Sequence, residues 1–225
     1  MTPPKVKFHI KCLSGPYSTH IFAGGSILSK RWVLTAAHCT IGQLTKLIRV
    51  VVGTNSLSKG GISYSVSRII VHENYNSKVI KNDVSVIRTS KEIEFNERAQ
   101  PIQLPGENTG AGANLLLTGW GRLSVIPPGT IPTKLQMINL TALSVESCQD
   151  RFSGINEVYS SQICSLTKSG EGACHGDSGG PLVEDGAVVG IVSWGMPCAR
   201  GFPDVYSRVY YFKDWIQEKI SEDSL

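Results

Sequence analysis

Apolar and polar positions alternate from the start of the chain, where Val6, Phe8 and Ile10 are interleaved with Lys5, Lys7, His9 and Lys11. A period of two is what a strand with one buried face requires, so residues 1–15 read as a β-strand and not as the apolar core of an export signal. Further on, runs rich in Val, Ile, Leu, Thr and aromatic residues occupy 22–34, 47–52, 63–71, 84–88, 115–120, 134–143, 162–166, 182–194 and 205–209, and Gly, Pro, Asn and Ser separate them. Short runs of this kind at fairly even spacing predict an all-β sandwich or barrel. The period changes near the C-terminus. There Tyr211, Phe212, Trp215, Ile216 and Ile220 recur at helical spacing among Lys213, Asp214, Glu218 and Lys219, which predicts an amphipathic helix over 210–220. Residues 104–112, with Pro105, Gly106, Gly110 and Gly112, read as a linker between two β-rich halves.

The totals narrow the function classes. With 225 residues and 41% apolar composition the chain can bury a substantial core. A net charge of +4 without any block of basic residues argues against a nucleic-acid or membrane partner, and no apolar stretch approaches a membrane span. The six cysteines (Cys12, Cys39, Cys148, Cys164, Cys174 and Cys198) show neither CxxC nor zinc-finger spacing, so three disulfides and six free thiols both remain open at this point.

Three local patterns carry chemistry: Leu34-Thr35-Ala36-Ala37-His38-Cys39, Asn82-Asp83-Val84-Ser85-Val86-Ile87 and Gly176-Asp177-Ser178-Gly179-Gly180-Pro181. A serine hydroxyl is a weak nucleophile until a base accepts its proton. An attacked carbonyl gathers negative charge on oxygen, which calls for preplaced donors. Glycines around Ser178 permit a tight turn that aims backbone N–H groups inward, and the donors expected are those of Gly176 and Ser178.

These motifs, with Ser193-Trp194-Gly195, resemble the chymotrypsin–trypsin family of serine proteases, and the order His38, Asp83, Ser178 is the order of that family. The resemblance runs from about residue 8 to about residue 220, and its pocket pattern is closest to invertebrate chymotrypsin-like proteases. It implies two six-stranded antiparallel β-barrels and a C-terminal α-helix, in one peptidase domain over 1–221: a first barrel over about 1–104, a second over about 113–208 and the helix over about 210–220. It implies Ser178 as nucleophile, His38 as base and Asp83 as the residue orienting the base. Ser193 would stand behind Asp83, and Ser193, Trp194 and Gly195 would offer an edge to the substrate backbone. His9, His20 and His72 have no expected role, and His175 would border the substrate rim. Cys148–Cys164 and Cys174–Cys198 are the implied disulfides. The family partner of Cys39 is replaced by Ala23, so Cys12 and Cys39 are expected as free thiols, with a Cys12–Cys39 bridge as the alternative.

By the same resemblance Gly172 forms the base of the primary specificity pocket, where trypsin-like members carry Asp, and Gly195 leaves its mouth open. A preference for large apolar or aromatic residues follows. Asp204 stands on the opposite wall, where many members have Gly, and is expected either to broaden specificity or to hydrogen-bond locally. No cofactor or metal is expected, since residues 53–71 contain no Asp or Glu for the family's calcium loop. Protein or peptide substrates and proteinaceous inhibitors are the expected partners of a secreted monomer. Members begin with Ile-Val-Gly-Gly, whose amino group pairs with the residue equivalent to Asp177, whereas this sequence opens Met1-Thr2-Pro3-Pro4 without an export signal. Two readings stand: a secreted protease whose N-terminal segments lie outside the sequence as given, and a catalytically impaired homologue that acts as a binding module. Asn139-Leu140-Thr141 is a glycan acceptor pattern, with occupancy left open.

Overall fold

A computed structural model describes residues 8–14, 19–123, 130–196 and 198–221. Strands β1 (Phe8–Ser14), β2 (Thr19–Gly24), β3 (Ser26–Ile27), β4 (Trp32–Thr35), β5 (Ile48–Val52), β6 (Ile62–Val71) and β7 (Ser85–Thr89) form one sheet in the order β2-β1-β5-β6-β7-β4-β3. Only Gly25 separates β2 from β3, so the two edges of this sheet belong to one bent strand and the sheet curls towards itself. Strands β8 (Asn114–Gly119), β9 (Gln136–Leu143), β10 (Gln162–Ser165), β11 (Pro181–Glu184), β12 (Ala187–Gly195) and β13 (Asp204–Arg208) close a barrel in the order β10-β13-β12-β11-β8-β9. With the bent strand counted once, each half has six strands. Helix α3 (Val209–Ser221) follows β13, as the change of period predicts.

Two continuous apolar runs divide where turn chemistry intervenes. The run 182–194 is a hairpin, because Asp185 (φ 45°) and Gly186 (φ 81°) both adopt the left-handed conformation that a tight two-residue turn demands. The run 22–34 breaks at Gly25 and at the turn closed by Leu28 N–H donating to the Trp32 carbonyl (2.8 Å). Two short helices escape the periodicity: α1 (Ala37–Thr40) and α2 (Val145–Arg151). The second starts at Ser144, whose side chain accepts from the Ser147 N–H (3.1 Å). Of the expected first strand, residues 8–14 form β1, while 1–7 lie outside the described residues, as do the side chains of His9, Cys12 and His20.

The alternation along the strands fills three of the four apolar clusters among the described residues. Val33, Ile48, Val50, Val52 and Ile87 pack inside the first sheet. Leu115, Leu117, Leu140, Ile163 and Tyr206 fill the second barrel. Between them, Leu34, Val84 and Val86 meet Val188, Ile191 and the α3 residues Val209, Phe212 and Ile216. The helix buries the 209, 212, 216 stripe at spacings of three and four, which seals one end of the seam. Asn139 is exposed on β9.

Arg208 fixes the connection between the halves. Its guanidinium, largely buried, donates to the carbonyls of Ser160 (3.2 Å), Gln162 (3.0 Å) and Thr109 (3.0 Å) and to Asn108 Oδ1 (2.8 Å). It thereby ties the 104–112 linker to the second barrel. Lys213 Nζ adds a bond to the Pro105 carbonyl (2.9 Å). Arg208→Met removes these donors and leaves several inward acceptors unpaired, so urea unfolding is expected to show a loss of about 3 kcal/mol at unchanged slope.

Candidate active site

His38 lies where β4 ends and the chain turns through Ala36 into α1. Ala36 and Ala37 are wholly buried, which explains why this turn needs small residues. The ring emerges beside Asp83, whose side chain has no solvent exposure. Asp83 Oδ1 accepts the His38 backbone N–H (2.8 Å) and Oδ2 lies 2.7 Å from His38 Nδ1. One carboxylate therefore fixes both the backbone and the ring of the same residue. It places the proton on Nδ1 and leaves Nε2 as the ring's acceptor. Burial disfavours the charged ring, but the hydrogen bond and charge of Asp83, together with the adjoining Cys39 thiol, outweigh it and hold the His38 pKa above its ordinary 6.5.

Asp83 is held from the second barrel as well. Ser193 Oγ of β12 donates to Oδ2 (2.5 Å), as expected. Ser207 Oγ of β13 donates to the Asp83 carbonyl (2.6 Å), a partner that sequence reasoning missed, because 124 residues separate the two and no local motif marks it. Within the first sheet, Asn82 takes a left-handed φ of 56° to deliver Asp83 inward, with its side chain anchored on the Asn74 carbonyl (2.9 Å). Tyr75, also missed, feels the Asp83 charge: burial first, then that charge and Cys39, push its pKa up to about 12.

The Ser178 loop is threaded against the first sheet. The Gly24 N–H donates to the Ser178 carbonyl (2.7 Å). A Cβ on Gly179 (φ 73°) would collide with Thr35 Oγ1 and come within 2.8 Å of the Gly24 carbonyl, so this approach requires glycine. Arg122 N–H donates to the His175 carbonyl (3.0 Å), and in a trans peptide that turns the Gly176 N–H the opposite way. Among the described residues neither the Gly176 nor the Ser178 N–H has a hydrogen-bond partner. The Ser178 hydroxyl makes no hydrogen bond to His38 among them either, a separation that is common before substrate arrives.

Ser178 opens onto a pocket of about 210 Å³ lined also by His175, Val192, Trp194, Gly195 and Asp204. His175 is thus among the residues lining it. Gly172 does not line this pocket. A Cβ there would collide with Asp204 Oδ2, so Gly172 lies directly against the Asp204 carboxylate and lines a neighbouring cavity of about 500 Å³. Asp177 reaches the same second cavity, nearly buried, and accepts from Gly121 N–H (2.7 Å) and Cys174 N–H (3.0 Å). Burial raises its pKa against those two bonds, and no cation pairs with it among the described residues. The amino group expected beside it lies outside the described residues.

Disulfides join Cys148 to Cys164 and Cys174 to Cys198. The second ties the loop before Ser178 to the loop before β13. Cys39 is a free thiol, and the Cys12 side chain lies outside the described residues. Among the described residues no group of three or more His, Cys, Asp or Glu could hold a metal ion.

The sequence model described as Trypsin matches residues 7–216. Chymotrypsin-2 of Vespa crabro is 49% identical over 198 residues, 88% of each chain. Trypsin Blo t 3 of Blomia tropicalis is 37% identical, covering 89% of this chain and 78% of its own, and trypsin, alkaline B of Manduca sexta is 39% identical, covering 86% and 77%. A match that runs through both barrels, and a relative that shares nearly half of its residues across 88% of the chain, lead to one assignment: this chain belongs to the trypsin family of serine proteases.

Proposed function

We propose that the protein is a serine endopeptidase with Ser178 as nucleophile, His38 as general base and acid, and Asp83 as the group that orients the base. The observation that carries this reading is the Asp83 carboxylate, wholly buried and bonded to both Nδ1 and the backbone of His38. Ser178 Oγ attacks the scissile carbonyl carbon as its proton passes to His38 Nε2. The tetrahedral oxyanion accepts from the free N–H groups of Gly176 and Ser178. Its collapse breaks the C–N bond, and His38 returns the proton to the leaving amine. Water then attacks the acyl-enzyme, gives its proton to His38, and the acid departs as Ser178 recovers its hydrogen. Ser193, Trp194 and Gly195 of β12 offer the substrate an edge to pair with.

The pocket beside Ser178 suits a large apolar or aromatic side chain before the cleaved bond, with Val192 and Trp194 as its apolar walls. Asp204 broadens that choice. The Asp177 carboxylate and the cavity beside it fit a buried ammonium, which would pair with it and steady the loop carrying Gly176. Two disulfides suit an oxidising, extracellular setting, with peptide or protein substrates, proteinaceous inhibitors and a monomeric state. The second reading, a binding homologue with impaired chemistry, draws on the Ser178 hydroxyl making no hydrogen bond to His38 among the described residues.

Hydrolysis of matched peptides with Phe, Leu or Arg before the cleaved bond separates the readings. Cleavage after Phe or Leu, reduced on the order of 10⁶-fold in kcat by Ser178→Ala, is the expected result. Equal turnover by wild type and variant supports the binding module. The ionisation of His38 sets the acid limb of kcat/KM. Because its pKa lies above 6.5 and the base must be neutral, activity is expected to climb with pH along a limb displaced above 6.5. Asp83→Asn is expected to move that limb to lower pH while lowering the plateau on the order of 10⁴-fold.

A further inference from the structure

Asp204 opens β13 with only 6% of its surface exposed, yet its carboxylate lines the pocket that Ser178 lines. Its one hydrogen bond runs from the Ala173 N–H to Oδ2 (2.7 Å), and among the described residues no cation pairs with it. Gly172 backs Oδ2, and a Cβ on Gly195 would lie 3.5 Å from Oδ1, so glycines flank both oxygens and no side chain at either position screens the carboxylate from the pocket. A carboxylate with a single neutral donor in such a site is a poor resting place for a charge and a good place for a proton, until a cation enters.

The surroundings leave that choice to the ligand. From the Ser178 loop the facing charged group is Asp177, of like sign. On β13 itself, Tyr206 is kept neutral by burial and shares a hydrogen bond (2.9 Å) with Ser165 of β10, the cross-strand partner of Asp204. Gly195, its partner on β12, carries no side chain. On the 168–172 loop Glu171 is paired with Lys168 (3.1 Å), and Arg122 and Arg200 are exposed residues of the neighbouring cavity.

We propose that Asp204 is a proton-gated specificity residue: protonated, it completes a neutral floor for Leu or Phe side chains, and ionised, it pairs with the cationic head of Lys or Arg. This rests on the reading of the pocket beside Ser178 as the primary specificity site. Burial, partly countered by the Ala173 N–H and reinforced by the Asp177 charge, pushes the Asp204 pKa up to about 7. The sign follows: below that value the neutral floor prevails, and above it the anion does. A bound cation favours the ionised form, so cation binding at lower pH releases a proton.

The ratio of kcat/KM for Arg and Leu peptides, followed from about pH 5.5 to about pH 9, isolates this gate, since the His38 ionisation is common to both substrates and cancels. The ratio is expected to rise by about tenfold per pH unit throughout, because Arg cleavage gains with the ionised fraction below the Asp204 titration and Leu cleavage falls with the protonated fraction above it. Asp204→Asn is expected to flatten it. A ratio independent of pH in the wild type, or Arg peptides resistant at every pH, overturns the proposal. If no peptide is cleaved, the protease reading has failed, and calorimetric binding of benzamidine to Ser178→Ala decides the gate without catalysis. Affinity that strengthens by about tenfold per pH unit below the Asp204 titration and is constant above it, with proton release at lower pH, upholds it. Absent or pH-independent benzamidine binding overturns it.

Discussion

A carboxylate with no solvent exposure and, among the described residues, no lysine or arginine paired with it is the constraint on which the rest of the cleft depends. Asp83 would be intolerable in the core if its oxygens lacked donors. The donors come from both halves: the backbone and ring of His38 on the first side, Ser193 on the second, with Ser207 holding the carbonyl. The two sheets must therefore meet in one register for the charge to be satisfied. The same bonds that stabilise Asp83 set the tautomer and direction of the His38 ring, so stability and chemistry here share one cause.

The approach of the halves is allowed by what is missing from the side chains. Gly24, Gly179 and Gly180 let the Ser178 loop lie directly on the strand ends of the first sheet, and added Cβ atoms there would strike backbone. Gly119 and Gly121 leave room for the Asp177 carboxylate in the same fashion. Around this polar seam the apolar one, sealed by α3 and fastened by Arg208, supplies the burial that keeps the halves docked.

Much of this was legible in the residues. The Ser178 loop is a local motif, because a turn of this strain must spell out its glycines in consecutive positions. The strands were legible by alternation, and α3 by its stripe. What could not be read depends on distant partners. Ser207 looks like any strand serine until β13 lies beside Asp83. The neutral look of Gly172 conceals that Asp204 fills its space. The Asp185-Gly186 hairpin was present in the sequence as a turn signal, but the apolar residues on either side outweighed it.

The bent strand at Gly25 joins the two edges of the first sheet, and the second barrel closes on its own strands, so each half pairs its strands without the other. The cleft belongs to neither. A nascent chain with one half formed possesses a histidine without its full support or a serine without its base. Hydrolytic competence on the proposed reading thus arrives only with the final docking of the halves, and the unfinished molecule is harmless to the chains folding around it.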